Sequence, residues 1–280
     1  MLLTACDETY LLKEARTLIA SAARHAPDQR FYLFLVNSNS VSDATIQSWN
    51  PNIIIERATW PHQRDRWRAL MCCARSIPLQ KILEEYGEPT IYLDSDTVLR
   101  GPLTDLFEAL ETHDLLVHFR PERVQTGAAG TPYGSTFNNG VIAIRPSAVG
   151  IRLAREYNKR LQEYITSGNP LEVFRQEYGI SFVIDQELLY VTYLQLQDEV
   201  KFNPLPIRFN DTGLRPGGVI WHAKGGGARS RPLYLQEKFY YENRALFYLL
   251  FAYHSILNAG RNLKRILVGH TSDSVNPNVQ

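Results

Sequence analysis

Short apolar runs of strand length alternate with segments of helical spacing through the first hundred residues, and that alternation restricts the fold more than any other feature. Residues 2–6 (LLTAC), 31–36 (FYLFLV) and 52–56 (NIIIE) are short, nearly continuous apolar runs; turn-forming Asn37-Ser38-Asn39-Ser40 closes the second. Between the first two, Leu12, Ala15, Leu18, Ile19 and Ala22 fall near helical spacing over 9–25, with Thr9 as the expected N-cap. A second helical stretch over 64–86 is expected to be kinked or interrupted by Pro78. Residues 90–99 (TIYLDSDTVL) read as a strand with acidic residues toward its end. Strands alternating with helices imply an α/β fold with a largely parallel sheet. Ligands of such sheets bind beyond the carboxyl ends of the strands.

The pattern loosens further along. Pro102 opens a short helix through Leu110, 114–119 and 139–144 read as strands, and 121–136, rich in Gly, Thr and Pro, reads as a long loop. Residues 147–166 and 184–196 read as helices, with a break at Gly168-Asn169-Pro170, and GVIWH (218–222) reads as one more strand. The loop 121–137 is either an ordinary surface loop or a cover that excludes water from a bound ligand. With no repeat and no long linker, the expected organisation is one domain over 1–236, a helical extension packed on it over 237–268, and a polar tail over 269–280.

Composition excludes some functions. A net charge of +1 over 280 residues gives no general polyanion surface, so nucleic acid is not an expected partner. None of Cys6, Cys72 and Cys73 forms a C-x-x-C pair, so reduced thiols are expected. Met1-Leu2-Leu3 lacks a basic leader and runs into Asp7 and Glu8, and no apolar run reaches the roughly 18 residues of a membrane span. A cytoplasmic protein is expected. The aromatic segment 238–258, followed by Arg261, Lys264 and Arg265, is read in two ways. Its apolar residues run all round, which suits a docked core helix. With its basic flank, 238–265 would also suit peripheral contact at the cytosolic face of a membrane and lipid-linked acceptors.

The chemistry gathers at Asp94-Ser95-Asp96, after the apolar Ile91-Tyr92-Leu93. In a continuing strand both carboxylates point to one face, where their repulsion is relieved by a cation. A Mn²⁺ or Mg²⁺ held there neutralises the charge on a nucleotide-diphosphate leaving group. The plainer reading is a strand-to-loop turn. His222 at the end of GVIWH would be a third ligand that favours Mn²⁺, or a hydrogen-bonded core histidine. The glycines after it let backbone N–H groups approach a phosphate, and Lys224, Arg229 and Arg231 are candidate cations for it.

Six blocks in order resemble the retaining glycosyltransferases of the GT-A fold, the family-eight group that includes glycogenin and bacterial lipopolysaccharide galactosyltransferases. Over residues 2–235, Ala5-Cys6-Asp7-Glu8-Thr9-Tyr10 resembles an opening A-x-D-x-x-Y, and Ala74-Arg75 lies where that family has an arginine near the donor. Tyr92-Leu93-Asp94-Ser95-Asp96 is similar to Y-L-D-x-D, Phe137-Asn138-Asn139-Gly140-Val141 to F-N-S-G-V, Asp185-Gln186 to a D-Q pair, and His222 with Gly225 to the start of H-x-x-G-x-x-K-P-W. Asn139 departs from the family's Ser and Ala228 from its Lys; Arg231-Pro232-Leu233 would be the same motif displaced.

The resemblance implies a single Rossmann-like mixed sheet flanked by helices. It implies metal-dependent transfer of a hexose, from UDP-glucose or UDP-galactose, to a glycan, lipid-linked or small-molecule acceptor. Retention by a front-face route is implied. The metal set is then Asp94, Asp96 and His222. The donor set is Thr4, Ala5, Asp7, Tyr10, Arg75, Asp94, Ser95, Asn138, Asn139, Lys224, Gly225, Arg229 and Arg231, with Asp185 and Gln186 at the reacting carbon. Two alternatives use the same residues. One is a haloacid-dehalogenase-type phosphatase with Asp94 and Asp96 as its acidic pair, although no Asp-Asp dipeptide follows later. The other is a non-catalytic nucleotide-sugar-binding protein.

Overall fold

The computed structural model describes residues 1–61, 67–122, 136–166, 184–243, 245–249, 251–253 and 255–256. The chain divides into two compact units, Met1–Ala228 and Arg229–Gln280.

The first unit is built on a seven-stranded sheet. Its strands are β1 (Leu2–Asp7), β2 (Phe31–Val36), β3 (Ile53–Ala58), β4 (Thr90–Leu93), β6 (Leu115–Phe119), β7 (Phe137–Ile144) and β8 (Phe202–Pro204), in the order β3-β2-β1-β4-β7-β6-β8. The pairings β3–β2, β2–β1 and β1–β4 are parallel, β4–β7 and β7–β6 antiparallel, and β6–β8 parallel. A separate two-stranded antiparallel sheet joins β5 (Thr97–Leu99) to β9 (Ile220–His222).

Alternate residues of the strands feed two cores. Leu3, Ala5, Tyr32, Phe34 and Ile142 pack on one face, and Leu2, Cys6, Phe31, Leu33 and Val141 on the other. The apolar runs are continuous because both faces are covered. Helix α1 (Arg16–His25) covers the second face with Leu18, Ile19 and Ala22. Helices α3 (Trp67–Ala74), α4 (Ser76–Lys81), α6 (Ala148–Thr166) and α7 (Ile184–Leu196) cover the first through residues such as Cys73, Leu79, Leu153 and Leu188. Two smaller helices, α2 (Asp43–Gln47) and α5 (Thr104–Thr112), complete the unit.

The structure departs from the sequence reading in particular places. The N-cap of the first helical run is Asp7, not Thr9: its carboxylate accepts from the Tyr10 N–H at 2.9 Å. The helical stretch around Pro78 is interrupted rather than kinked. The break falls at Arg75, so Pro78 stands in the first turn of α4, where a missing N–H costs nothing. The strand expected over 90–99 ends at Leu93, turns, and resumes as β5 in another sheet. Strand β8 has only Phe202, Asn203 and Pro204 and left no periodic signal. The loop 121–137 lies outside the described residues except at its ends, as does the tail over 269–280. All three cysteines are free.

In the second unit, α8 (Pro232–Glu242) starts with proline at its first position, where φ is already helical. Beyond it, Tyr248, Leu249, Phe251, Tyr253 and Ile256 are exposed. Among the described residues no helix is long and apolar enough to cross a membrane.

Candidate functional site

Strands β1 and β4 run side by side only from Leu2 and Leu3 against Ile91 and Tyr92. Beyond that point the Thr4 hydroxyl donates to the Leu93 carbonyl at 2.8 Å and holds the diverging strands together. Thr4 is fully buried and lies beneath the site rather than on its surface. Asp7 ends β1 and Asp94 directly follows β4, at the carboxyl ends of the parallel strands.

Asp94 begins a tight turn. The Thr97 N–H and hydroxyl both donate to its carbonyl, at 3.0 and 2.8 Å, and its own N–H donates to the Gly140 carbonyl at 2.8 Å. The turn brings Asp96 round to the same side as Asp94. Strand β5 then pairs with β9, placing Thr97 opposite His222, and the Ala223 N–H donates to the Asp96 carbonyl at 2.9 Å. The His222 Nε2 consequently lies 3.5 Å from Asp94 Oδ2 and 3.4 Å from Asp96 Oδ1. The turn and the cluster, opposed readings of the sequence, are one structure.

Donor atoms of all three residues lie within 4.8 Å of one another. Oxygens and nitrogens bound to one ion at about 2.1 Å sit about 3 Å apart when adjacent. The spacing fits a small divalent cation, for which two carboxylates and one imidazole are a ligand set. Asp96 and His222 are buried, while Asp94 keeps one side open.

The two oxygens of Asp94 are used differently. Oδ1 accepts from the Tyr92 hydroxyl at 2.8 Å and meets the Arg75 guanidinium at 3.0 Å, which leaves Oδ2 facing His222. Burial pushes the Tyr92 phenol well above its usual range, so it remains a donor. Arg75 is almost wholly buried. It lies over the Tyr92 ring, donates to the carbonyls of Cys72 and Asn139, and stands 3.5 Å from Asp185. Burial opposes its charge, but Asp94, Tyr92 and Asp185 outweigh that and raise its pKa. Arg75 therefore braces the two acids from beneath.

Asp185 and Gln186 occupy the first turn of α7 and are buried. Burial raises the Asp185 pKa, Arg75 opposes that, and Asp94 adds to it. The Asn139 amide donates to the Asp185 carbonyl at 3.0 Å, which ties β7 to α7. Asn138 Nδ2, Asn139 Oδ1 and Gln186 Oε1 are buried without a hydrogen-bond partner among the described residues. Orphaned atoms of this kind are costly, and a polar ligand satisfies them.

The remaining sequence candidates fall into four groups. Asp7 caps the first helical turn and accepts from the Trp67 indole at 2.8 Å. Ala5 is buried in the core beside it, and Tyr10 is 38% exposed. Ser95 is half-buried at the tip of the Asp94 turn. Lys224 is exposed, within electrostatic reach of Asp94, Asp96 and Asp185, and Gly225 follows it with φ +82°. Arg229 and Arg231 belong to the second unit.

Two residues were missed in the sequence reading. Asn210 is fully buried and its Oδ1 lies 2.8 Å from His222 Nδ1. Gly140 stands where an added Cβ would fall on the His222 ring atoms Cε1 and Nδ1, far inside van der Waals contact. A glycine inside an apolar strand does signal a close approach, so Gly140 could have been found. Asn210 sits in an irregular segment with no spacing to mark it.

Glu187, next to the site, is 3% exposed with neither carboxylate oxygen paired among the described residues. Burial, helped by the Asp185 charge, pushes its pKa from 4.5 up to about 8. A raised folded-state pKa means the native state holds the proton longer than the unfolded chain. Stability is then fully present below about 4.5 and falls as pH rises towards about 8. Glu187→Gln is expected to flatten that decline and to be the more stable protein at pH 8, as read from urea midpoints across the range. Parallel wild-type and variant profiles would show that Glu187 does not carry it.

No protein-family model matches the sequence, and no curated protein matches it significantly. The fold does have solved counterparts. The glycosyltransferase GlyE of Streptococcus pneumoniae superposes with a TM-score of 0.54 at 19% identity, over 85% of this chain and 59% of that one. Its apo form gives 0.53 at 21% identity, over 82% and 55%. This chain thus spans less than two thirds of either chain's length. At such identity the likeness is one of fold. The fold is the GT-A type expected from the sequence, a mixed sheet flanked by helices.

Proposed function

We propose that this protein is a metal-dependent glycosyltransferase that moves a hexose from a nucleotide-diphosphate sugar to an acceptor hydroxyl. The observation that carries the reading is the convergence of Asp94, Asp96 and His222 above the carboxyl ends of the parallel strands. A Mn²⁺ or Mg²⁺ bound there supplies Lewis-acid neutralisation of the departing diphosphate. The chain's own residues do the rest. Asp94 Oδ2, Asp96 and His222 hold the ion, and Arg75 and Tyr92 fix Asp94 in place. Lys224 adds positive charge towards the diphosphate. Asp7 and Tyr10 receive the nucleoside at the end of β1. The unpaired amide atoms of Asn138, Asn139 and Gln186 receive sugar hydroxyls, which an apolar pocket would not distinguish. UDP-glucose or UDP-galactose is the favoured donor, and a retaining front-face route fits a site in which Asp185 is braced by Arg75 rather than free to attack.

The test is a screen of UDP- and GDP-sugars for nucleotide-diphosphate release with Mn²⁺, with and without EDTA. One UDP-hexose is expected to be turned over slowly without acceptor, and EDTA is expected to abolish release. Phosphate freed from phosphomonoesters instead would favour the phosphatase reading. Binding of UDP and Mn²⁺ without turnover of any donor would favour a binding protein.

A further inference from the structure

We infer that Asn210 is a positioning residue for the cation site: it dictates which nitrogen of His222 faces Asp94 and Asp96. The inference rests on the metal reading above. His222 Nδ1 lies 2.8 Å from Asn210 Oδ1, and the Asn210 Nδ2 donates to the Asn138 carbonyl at 3.2 Å. The second bond fixes the first. Turning the amide over would set its oxygen against the Asn138 carbonyl and its NH₂ against Nδ1, so only one orientation pairs both groups. An amide oxygen only accepts, so Nδ1 carries the hydrogen. Nε2 is then the nitrogen whose lone pair is directed between the carboxylates, 3.5 and 3.4 Å away.

The packing leaves the ring no other position. Asn210 is fully buried and His222 is 2% exposed. The ring lies against the bare Cα of Gly140, whose added Cβ would also come within 3.1 Å of Asn210 Oδ1. The Asn210 backbone is held by its N–H donating to the Ile207 carbonyl at 3.0 Å, and the next residue, Asp211, donates its N–H to the Ile220 carbonyl at 2.9 Å and accepts from the His222 N–H at 3.1 Å. Asn210 thus orients the imidazole while adding no charge of its own. A carboxylate in this place would also orient the ring but would add negative charge beside two acids whose ligand atoms already lie within 4.8 Å of one another. Support of this kind behind a metal-binding histidine is worth about 10- to 100-fold in metal affinity.

The experiment compares Mn²⁺ binding by wild type, Asn210→Leu and Asn210→Asp, using electron paramagnetic resonance for affinity and electron spin echo modulation for nitrogen bonded to the ion. Asn210→Leu removes the acceptor at Nδ1. Asn210→Asp keeps an oxygen acceptor at Nδ1 while adding the charge that wild type avoids. Wild type is expected to show one directly bound nitrogen. Asn210→Leu is expected to bind about 10- to 100-fold more weakly with that nitrogen signal lost. Asn210→Asp is expected to restore the signal and to stay within a few-fold of wild type. A merely structural residue would lower the melting temperature of both variants without separating them in nitrogen coupling. Equal affinity and coupling in wild type and Asn210→Leu would overturn the inference while leaving the metal site standing, as would equal losses in Leu and Asp variants that melt like wild type. If wild type binds no Mn²⁺, the metal reading itself fails and takes this inference with it.

Discussion

Gly140→Ala is expected to abolish tight Mn²⁺ binding although it touches no ligand atom. The new methyl group would occupy the space of the His222 ring. Strand β7 cannot retreat, because it is paired on both sides, to β4 and β6, and all eight of its residues are buried. The Gly140 carbonyl also accepts the Asp94 N–H, so any shift of β7 moves a second ligand. The ring must leave. Overpacking a core position costs about 1–3 kcal/mol, and removing a histidine ligand weakens metal binding by at least the roughly hundredfold seen for lesser disturbances. A double-mutant cycle checks the cause. In a His222→Ala background, Gly140→Ala is expected to cost little stability, because the space is vacant. An undiminished cost there would mean that the glycine serves the strand and not the ring.

The second large effect is expected at Arg75→Met. Arg75 is the one described cation in ion-pair contact with both Asp94 and Asp185. Removing one partner of a buried ion pair leaves its acid uncompensated, at a cost of about 3–5 kcal/mol. The direction with pH follows from the acids left behind. The pKa of Asp185 is already raised by burial and is held down by Arg75, so it rises further in the variant. A raised folded-state pKa makes stability fall as pH rises through it. The deficit of Arg75→Met should therefore be largest above neutrality and smallest in mild acid, as read from urea midpoints at pH 5 and pH 8. A deficit independent of pH would point to lost packing on Tyr92 instead. Arg75→Lys should recover only part of it, because a point charge cannot span two carboxylates as the guanidinium does.

The sheet was legible where its strands are buried on both faces. Phe31–Val36 and Leu2–Asp7 are continuous apolar runs because each residue meets one of two cores. Strand β8 was invisible because three residues including a proline carry no period. The D-x-D pair was legible, but the geometry inferred for it was not the one adopted. A continuing strand would have aligned the two acids; a turn does so instead, since Asp94 and Thr97 form a hydrogen-bonded pair that the apolar pattern cannot reveal. Arg75 was picked out by position, yet its burial over the Tyr92 ring comes from tertiary packing that no local pattern shows. Asn210 had no signal at all, because its partner, His222, is twelve residues away across a segment without regular spacing.

The pairing of β5 with β9 has a consequence for how the protein comes into being. Two ligands reside at 94 and 96, and the third arrives only at 222, through a short ribbon closed between distant stretches of chain. During synthesis a nascent chain lacking β9 would carry two neighbouring acids and no imidazole to meet them. Such a chain would have little hold on a divalent ion. Binding of the ion to the finished chain in turn favours the state in which the ribbon is closed. The long detour between the ligands makes the appearance of the site a late event, coincident with completion of the first unit.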